Sequence, residues 1–296
     1  MDVFKRTDLA CEACPEGEEL PLGVDVERFD NGKIRLERMK VDENAAKIIE
    51  KPCGNYATFF SERFSWLDGG TVSAFSSLLS EELAKIAENL TKKKINGDFS
   101  VFAVGLGNAG MTPDAVGPET VSKLNATGHI ATERPELFDK LGCGRLFSLA
   151  PGVEGQTGID TYDIISSVTA NIKPDLVIAI DALAARNCDR LASTIQISDV
   201  GISPGSGVGN RRKELSQNTL GVPVIAIGVP TVVDSSALVK DALERSGINE
   251  LSDKMTEILE NGRRFFVAPK DCDEITRCAA TLIADGINKT FGISEL

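Results

Sequence analysis

Histidine and aromatic residues are scarce in this chain of 296 residues, which contains one histidine, one tryptophan and two tyrosines. Mechanisms that pair histidine with serine or cysteine would all depend on His129, so they are weak alternatives. Basic residues are also few, 32 against 44 acidic ones, and the net charge is −12. This balance argues against direct nucleic-acid binding, because such binding needs cationic side chains that displace counterions from phosphates.

Long apolar runs are absent as well. No segment approaches the length of a membrane span, and residues 1–8 lack the apolar core of a secretory signal, so we expect a cytoplasmic protein with no membrane partner. The seven cysteines fit reduced, mostly buried thiols. Cys11 and Cys14 have a C-x-x-C spacing, but no second pair completes a zinc site, and we predict neither a metal nor a cofactor.

Apolar strand-like runs alternate with helical patterns along most of the chain. Residues 101–106 and 176–180 are nearly continuous apolar runs, as expected for strands buried on both faces of a parallel sheet. The predicted class is α/β, with a mostly parallel or mixed sheet flanked by helices. We expect one elaborated domain over 7–296, with an N-terminal elaboration over 7–96 and a catalytic core over 97–296.

Several elements have clear local signals. Alternating residues on either side of Asn31 and Gly32 predict a hairpin, because this dipeptide accepts positive φ. Capping residues and apolar periodicity predict helices from Asp42 to Ile49, over about 71–90, near Pro113, over 160–171, after Asp234 and over 272–290. Strands are predicted at 56–60, 99–106, near Leu146, and at 175–180, 194–198 and 222–229.

Two aspartates follow predicted core strands. Asp114 lies in Thr-Pro-Asp-Ala-Val-Gly-Pro and Asp181 directly follows the strand 175–180. Both should lie beyond carboxyl strand ends, where ligands bind in open α/β sheets. Locally, Asp114 is also a good helix N-terminal residue. Asp181 is harder to explain structurally, because an acid that ends a buried strand is costly to desolvate.

Other acids have turn or cap contexts. Asp160, Asp163, Asp199 and Asp234 are each expected to satisfy backbone donors. Asp199 and Asp234 also follow predicted strands. Either could therefore line the ligand-binding crevice at the carboxyl ends of the strands.

The glycine-rich run over 201–213 does not match a phosphate-binding loop, since it has no Gly-Lys-Ser/Thr ending and does not open a helix. We predict a substrate-facing loop instead. Its glycines permit a tight backbone path beside a bound peptide, and its polar side chains offer hydrogen bonds. The predicted substrate-binding residues are Gly205, Ser206, Gly207 and Asn210.

A series of ordered phrases resembles the germination proteases of spore-forming bacteria. The phrases are Arg-Thr-Asp-Leu-Ala from Arg6, Lys-Pro-Cys-Gly-Asn-Tyr from Lys51, Gly-Leu-Gly-Asn from Gly105, residues 112–118, 149–153, 175–184, 194–197, 201–213 and 219–234. The resemblance implies an endopeptidase that degrades small acid-soluble DNA-binding spore proteins, an atypical aspartic peptidase whose catalytic acids are Asp114 and Asp181. It also implies a homotetramer in the spore core and a zymogen, for which residues 1–6 are the expected short prosegment.

Two carboxylates in one site do not both ionise cheaply, so one keeps a proton while the other can activate water. Which aspartate is protonated, the cleavage-site preference and the activation trigger stay open. The fold is expected to resemble that of the hydrogenase-maturation peptidases, within the phosphorylase/hydrolase-like group. A metal-dependent peptidase of that type is one alternative, although no histidine follows His129 to serve as its later ligand. A catalytically silent peptide-binding relative is another.

Overall fold

The computed structural model of the chain describes residues 7–14, 17, 19–204, 213–248, 251–261 and 265–293. Nine strands within these residues form one sheet, in the order β1-β2-β3-β7-β8-β6-β4-β5, with β9 paired to β8. The strands are β1 Val24–Asp30, β2 Ile34–Val41, β3 Gly54–Ser61, β4 Ser100–Gly105, β5 Arg145–Leu149, β6 Leu176–Ala185, β7 Thr194–Ser198, β8 Val224–Asp234 and β9 Phe266–Val267.

Helices cover both faces of this sheet. They are α1 Glu43–Ile49, α2 Gly69–Thr91, α3 Val116–Val121, α4 Gly128–Glu133, α5 Pro135–Leu141, α6 Glu154–Thr157, α7 Thr161–Ile172, α8 Gln217–Leu220, α9 Ser235–Arg245, α10 Asp253–Asn261 and α11 Cys272–Thr290. No helix in the described part of the chain is long and apolar enough to cross a membrane.

The sheet has a parallel half and an antiparallel half. β8, β6, β4 and β5 are parallel neighbours, whereas β1, β2, β3 and β7 pair antiparallel, and β7 joins the halves by antiparallel pairing with β8. The α/β class is therefore confirmed, with a mixed sheet. The predicted N-terminal elaboration contributes β1 to β3 to this same sheet, and the domain boundaries stay a prediction.

Burial on both faces explains the continuous apolar runs of the central strands. Alternate residues of β4 point to opposite sides: Val101 packs in the large core with α2 and α11, and Phe102 packs in a second core with α7. On β6, Ile178 likewise packs in the large core and Val177 packs in the second core. A two-sided core requires apolar residues at successive positions rather than alternate ones.

The local signals near the N-terminus produce the expected elements. Asp30 and Asn31 accept hydrogen bonds from the N–H groups of Gly32 and Ile34, which closes the hairpin between β1 and β2. Asp42 caps α1 through its side chain. These elements depend on short-range hydrogen bonds, and their sequence signals are correspondingly local.

β6 is longer than predicted. The sequence predicts a strand over 175–180, but β6 continues through Asp181 to Ala185. The reason is its neighbour β8, which stays paired with β6 as far as Val233, while β4 ends opposite Ile180. The short helices α4 and α5 and the helix α10 were not predicted, since they contain only six, seven and nine residues and offer too few turns for a clear apolar period.

Candidate active site

Asp114 lies in a tightly braced turn between β4 and α3. Residues Thr112–Asp114 form one turn of 3₁₀ helix, and α3 begins only at Val116, slightly later than the predicted start near Pro113. Thr231 Oγ1 on β8 donates to the Pro113 carbonyl at 2.6 Å, and Thr231 is buried. This bond ties the turn that carries Asp114 to a central strand.

A glycine permits the close approach of the Asp114 turn to the end of β4. The backbone N–H of Asn108 donates to Asp114 Oδ2 at 2.8 Å. Gly107 has φ +106°, and a Cβ there would lie 2.0 Å from the Asp114 carbonyl oxygen. Only glycine satisfies both the positive φ and the short distance.

Gly117 has a similar role in α3. A Cβ at this position would lie 2.3 Å from the Leu106 carbonyl oxygen and 2.6 Å from that of Ile180. The backbone of α3 therefore packs directly against the end of β4 and the middle of β6. This contact places the Asp114 turn beside the part of β6 that carries Asp181.

Asp181 is buried, with 5 % of its surface exposed, and its Oδ1 accepts a hydrogen bond from the Ala182 N–H at 2.9 Å. It pairs with Gly228 of β8 one residue after the last pairing between β6 and β4. The prediction that Asp181 follows the end of its own strand is thus wrong, but Asp181 does lie just beyond the end of β4.

Asp114 and Asp181 line the same cleft, which has a volume of about 540 Å³. Its other walls come from the loop after β4, the region around α6, the end of β6, β8 and Phe266. Among the described residues that line it, three are acidic and none is basic: the third acid is Asp8. Sequence reasoning missed Asp8 because its neighbours in the chain have no strand-end pattern, and missed Thr231 because it lies inside an apolar strand.

Part of the predicted substrate loop lies within the described residues. Gly205, Ser206, Gly207 and Asn210 lie outside the described residues. The residues that precede them, Ile202, Ser203 and Pro204, do line the cleft.

The remaining candidate acids lie elsewhere, and Asp160, Asp199 and Asp234 accept backbone hydrogen bonds as their turn and cap contexts predicted. Asp160 and Asp234 accept backbone hydrogen bonds at the starts of α7 and α9, and Asp163 lies in the first turn of α7. Asp199 accepts two hydrogen bonds from one residue of β3. None of these acids lines the cleft, and neither does His129, which is exposed on α4.

No group of three or more His, Cys, Asp or Glu side chains in the described part of the chain is arranged to hold a metal ion. None of the seven cysteines forms a disulfide, and four of them are buried. Burial raises the pKa of the Cys11 thiol to about 12, so this group stays protonated and unreactive at neutral pH. Two carboxylates on the walls of one cleft, by contrast, are an arrangement suited to acid–base hydrolysis.

Comparison with known proteins agrees with this class. A family model described as germination protease matches residues 12–246. Curated germination proteases are similar over most of their length: that of Clostridium acetobutylicum is 39% identical over 96% of this chain and 94% of its own. That of Caldanaerobacter subterraneus subsp. tengcongensis is 39% identical over 98% and 95%, and that of Bacillus licheniformis is 44% identical over 81% and 66%.

The chain therefore belongs to the germination protease family, a family of peptidases that act in spore germination.

Proposed function

We propose that this protein is an endopeptidase that starts the degradation of small acid-soluble DNA-binding spore proteins during germination, and that Asp114 and Asp181 are its catalytic acids. The observation that carries the proposal is the position of both acids on the walls of one cleft. The family membership supplies the peptidase activity, and the acid pair supplies the chemistry.

In this mechanism the two carboxylates share one proton, because two like charges in one site are costly. The ionised member takes a proton from a water molecule that attacks the peptide carbonyl carbon. The protonated member donates to the carbonyl oxygen and then helps the amine to leave. No covalent intermediate forms, and the titration belongs to the pair rather than to either residue.

The surroundings of the pair suit this task. The Asn108 N–H donates to one carboxylate oxygen of Asp114, and the Ala182 N–H donates to one carboxylate oxygen of Asp181. Much of the wall is apolar, including Leu106, and an apolar wall strengthens electrostatic interactions within the cleft.

The same proposal includes the setting of the enzyme. We place it in the spore interior as a homotetramer made as a zymogen, with residues 1–6 as the removable prosegment and Gly205, Ser206, Gly207 and Asn210 as substrate contacts. Light scattering tests the tetramer. Mass spectrometry of protein isolated from spores tests the processing, and retention of residues 1–6 in the active form would contradict it.

The central experiment incubates the purified chain with a small acid-soluble spore protein, with and without a chelator, and follows cleavage by mass spectrometry. Asp114→Asn and Asp181→Asn are assayed beside it after circular dichroism has shown that they fold. We expect cleavage by the parent and none by either variant.

Three outcomes would contradict this proposal in different ways. Cleavage that stops when chelator is added indicates a metal-dependent peptidase. Cleavage by both folded variants removes the acid pair from the mechanism. Absence of cleavage by a parent chain that still binds the substrate indicates a silent peptide-binding relative.

A further inference from the structure

The segment Thr7–Cys14 packs at the end of β6 although it is more than 170 residues away in the sequence. Leu9 and Ala10 are completely buried, and the Ala10 N–H donates to Gln196 Oε1 at 2.7 Å. Lys51 Nζ donates to the Thr7 carbonyl. The segment is therefore hydrogen-bonded both to β7 and to the chain that follows α1.

Asp8 makes two hydrogen bonds to a single residue of β6. Its N–H donates to the Ala184 carbonyl at 2.9 Å, and its Oδ2 accepts from the Ala184 N–H at 2.8 Å. The register between β6 and β8 shifts between Leu183 and Ala184. Asp8 thus holds both backbone polar groups of Ala184 at the irregular point of the strand, three residues after Asp181.

Glu12 accepts hydrogen bonds from the backbone that directly follows β6. Its two carboxylate oxygens accept from the N–H groups of Arg186 and Asn187, each at 2.8 Å. Glu12 is buried but does not line the cleft, whereas Asp8 does. The two acids anchor one segment, and only one of them borders the site.

We propose that Asp8 is a positioning residue for the acid pair: its two bonds to Ala184 fix the path of residues 182–184, which form the wall of the cleft next to Asp181. The proposal rests on the proposed function of Asp114 and Asp181. The bond geometry, rather than the negative charge, is what matters. β4 ends opposite Ile180, so it gives residues 182–184 no support.

Three substitutions separate geometry from charge. Asp8→Asn keeps an oxygen that can accept from the Ala184 N–H but removes the charge. Asp8→Glu keeps the charge but moves the acceptor by one methylene, and Asp8→Ala removes the acceptor. Glu12→Gln is the matched control, because it alters the anchor of the same segment outside the cleft.

Cleavage of a small acid-soluble spore protein is measured as kcat and KM, together with hydrogen exchange of residues 182–187. Because a displacement of about 1 Å can cost about 10²-fold in rate, we expect kcat to fall about 10- to 100-fold in Asp8→Ala and Asp8→Glu, with faster exchange and a smaller change in KM. Asp8→Asn and Glu12→Gln should keep kcat within about threefold.

A parent-like kcat in Asp8→Ala would overturn the proposal, and so would activity in Asp8→Glu combined with its loss in Asp8→Asn. If Asp8→Ala does not fold, Asp8→Glu and Asp8→Asn decide the question between them. Failure of the proposed function itself is distinguishable, because it would appear as an inactive parent or as active Asp114→Asn and Asp181→Asn variants.

Discussion

Two concave regions of the molecule differ in the charges that surround their carboxylates. The cleft at the parallel half contains Asp8, Asp114 and Asp181 with no basic side chain among its described lining residues. A groove of about 430 Å³ at the antiparallel half, between β2, β3 and α2, mixes both signs of charge, including Arg38 and Glu82.

Glu82 in the groove is an ion-pair residue. Arg38 binds it through two hydrogen bonds of 2.7 and 2.8 Å, and Lys85 Nζ donates to it at 2.7 Å. Burial of Glu82 raises the pKa of its carboxyl group, but the hydrogen bonds from these two cations outweigh burial, and the pKa is lowered. The groove therefore stabilises one ionised carboxylate with two cations, whereas the three acids of the cleft have no basic side chain among its described lining residues.

The largest expected effect comes from matched acid-to-amide changes in the two regions. Asp181→Asn should lower kcat by about 10²–10⁴-fold, because in the proposed mechanism it removes a proton-transfer group. Glu82→Gln should leave kcat within about twofold, since Glu82 lines only the groove. Peptide cleavage measured by mass spectrometry checks both, and equal losses would remove the distinction between cleft and groove.

A second effect concerns the backbone of the cleft. Gly107→Ala should lower kcat by about 10²-fold and stability by about 1–3 kcal/mol, because its Cβ would collide with the Asp114 carbonyl. Gly32→Ala is the control, since Gly32 also has positive φ but no atom within 4 Å of the added Cβ. Kinetics and urea denaturation test the pair, and equal activity in both variants would contradict the steric argument.

A third effect belongs to the groove alone. Arg38→Met should lower the free energy of unfolding by about 1–3 kcal/mol. The loss is smaller than for a fully buried ion pair, because the Arg38 side chain is 39% exposed and solvent screens its charge. Stability falls because Glu82, whose side chain is 4% exposed, loses its main partner. The double variant with Glu82→Gln should lose less than Arg38→Met, and a strictly additive loss in urea denaturation would count against the coupling.

The smallest effect is a difference in pH dependence. The pKa of Glu82 is lowered in the folded protein from its ordinary 4.5. Its contribution to stability is therefore complete above that value and is lost as the pH falls through the lowered pKa of the folded state. Between pH 7 and pH 3, the stability of Glu82→Gln should fall less than that of the parent. Parallel curves of unfolding free energy against pH would show that Glu82 does not contribute.

Sequence reasoning succeeded where short-range signals decide structure. The hairpin at Asn31 and Gly32 and the capped helix after Asp42 have signals within a few residues. It was less accurate for β6, whose length depends on β8. Asp114 and Asp181 were predicted as a pair, because both follow core strands as the sequence predicted them and both occur in phrases of the family.

The sequence by itself determined the α/β class, the family and the two candidate acids, because buried strands, caps and extended motifs are written in adjacent residues. Only the tertiary structure decided that the sheet is mixed, that Asp181 lies within β6, and that Asp8 borders the same cleft. These features depend on hydrogen bonds between residues far apart in the chain, as between Asp8 and Ala184, and no local pattern encodes such a pairing.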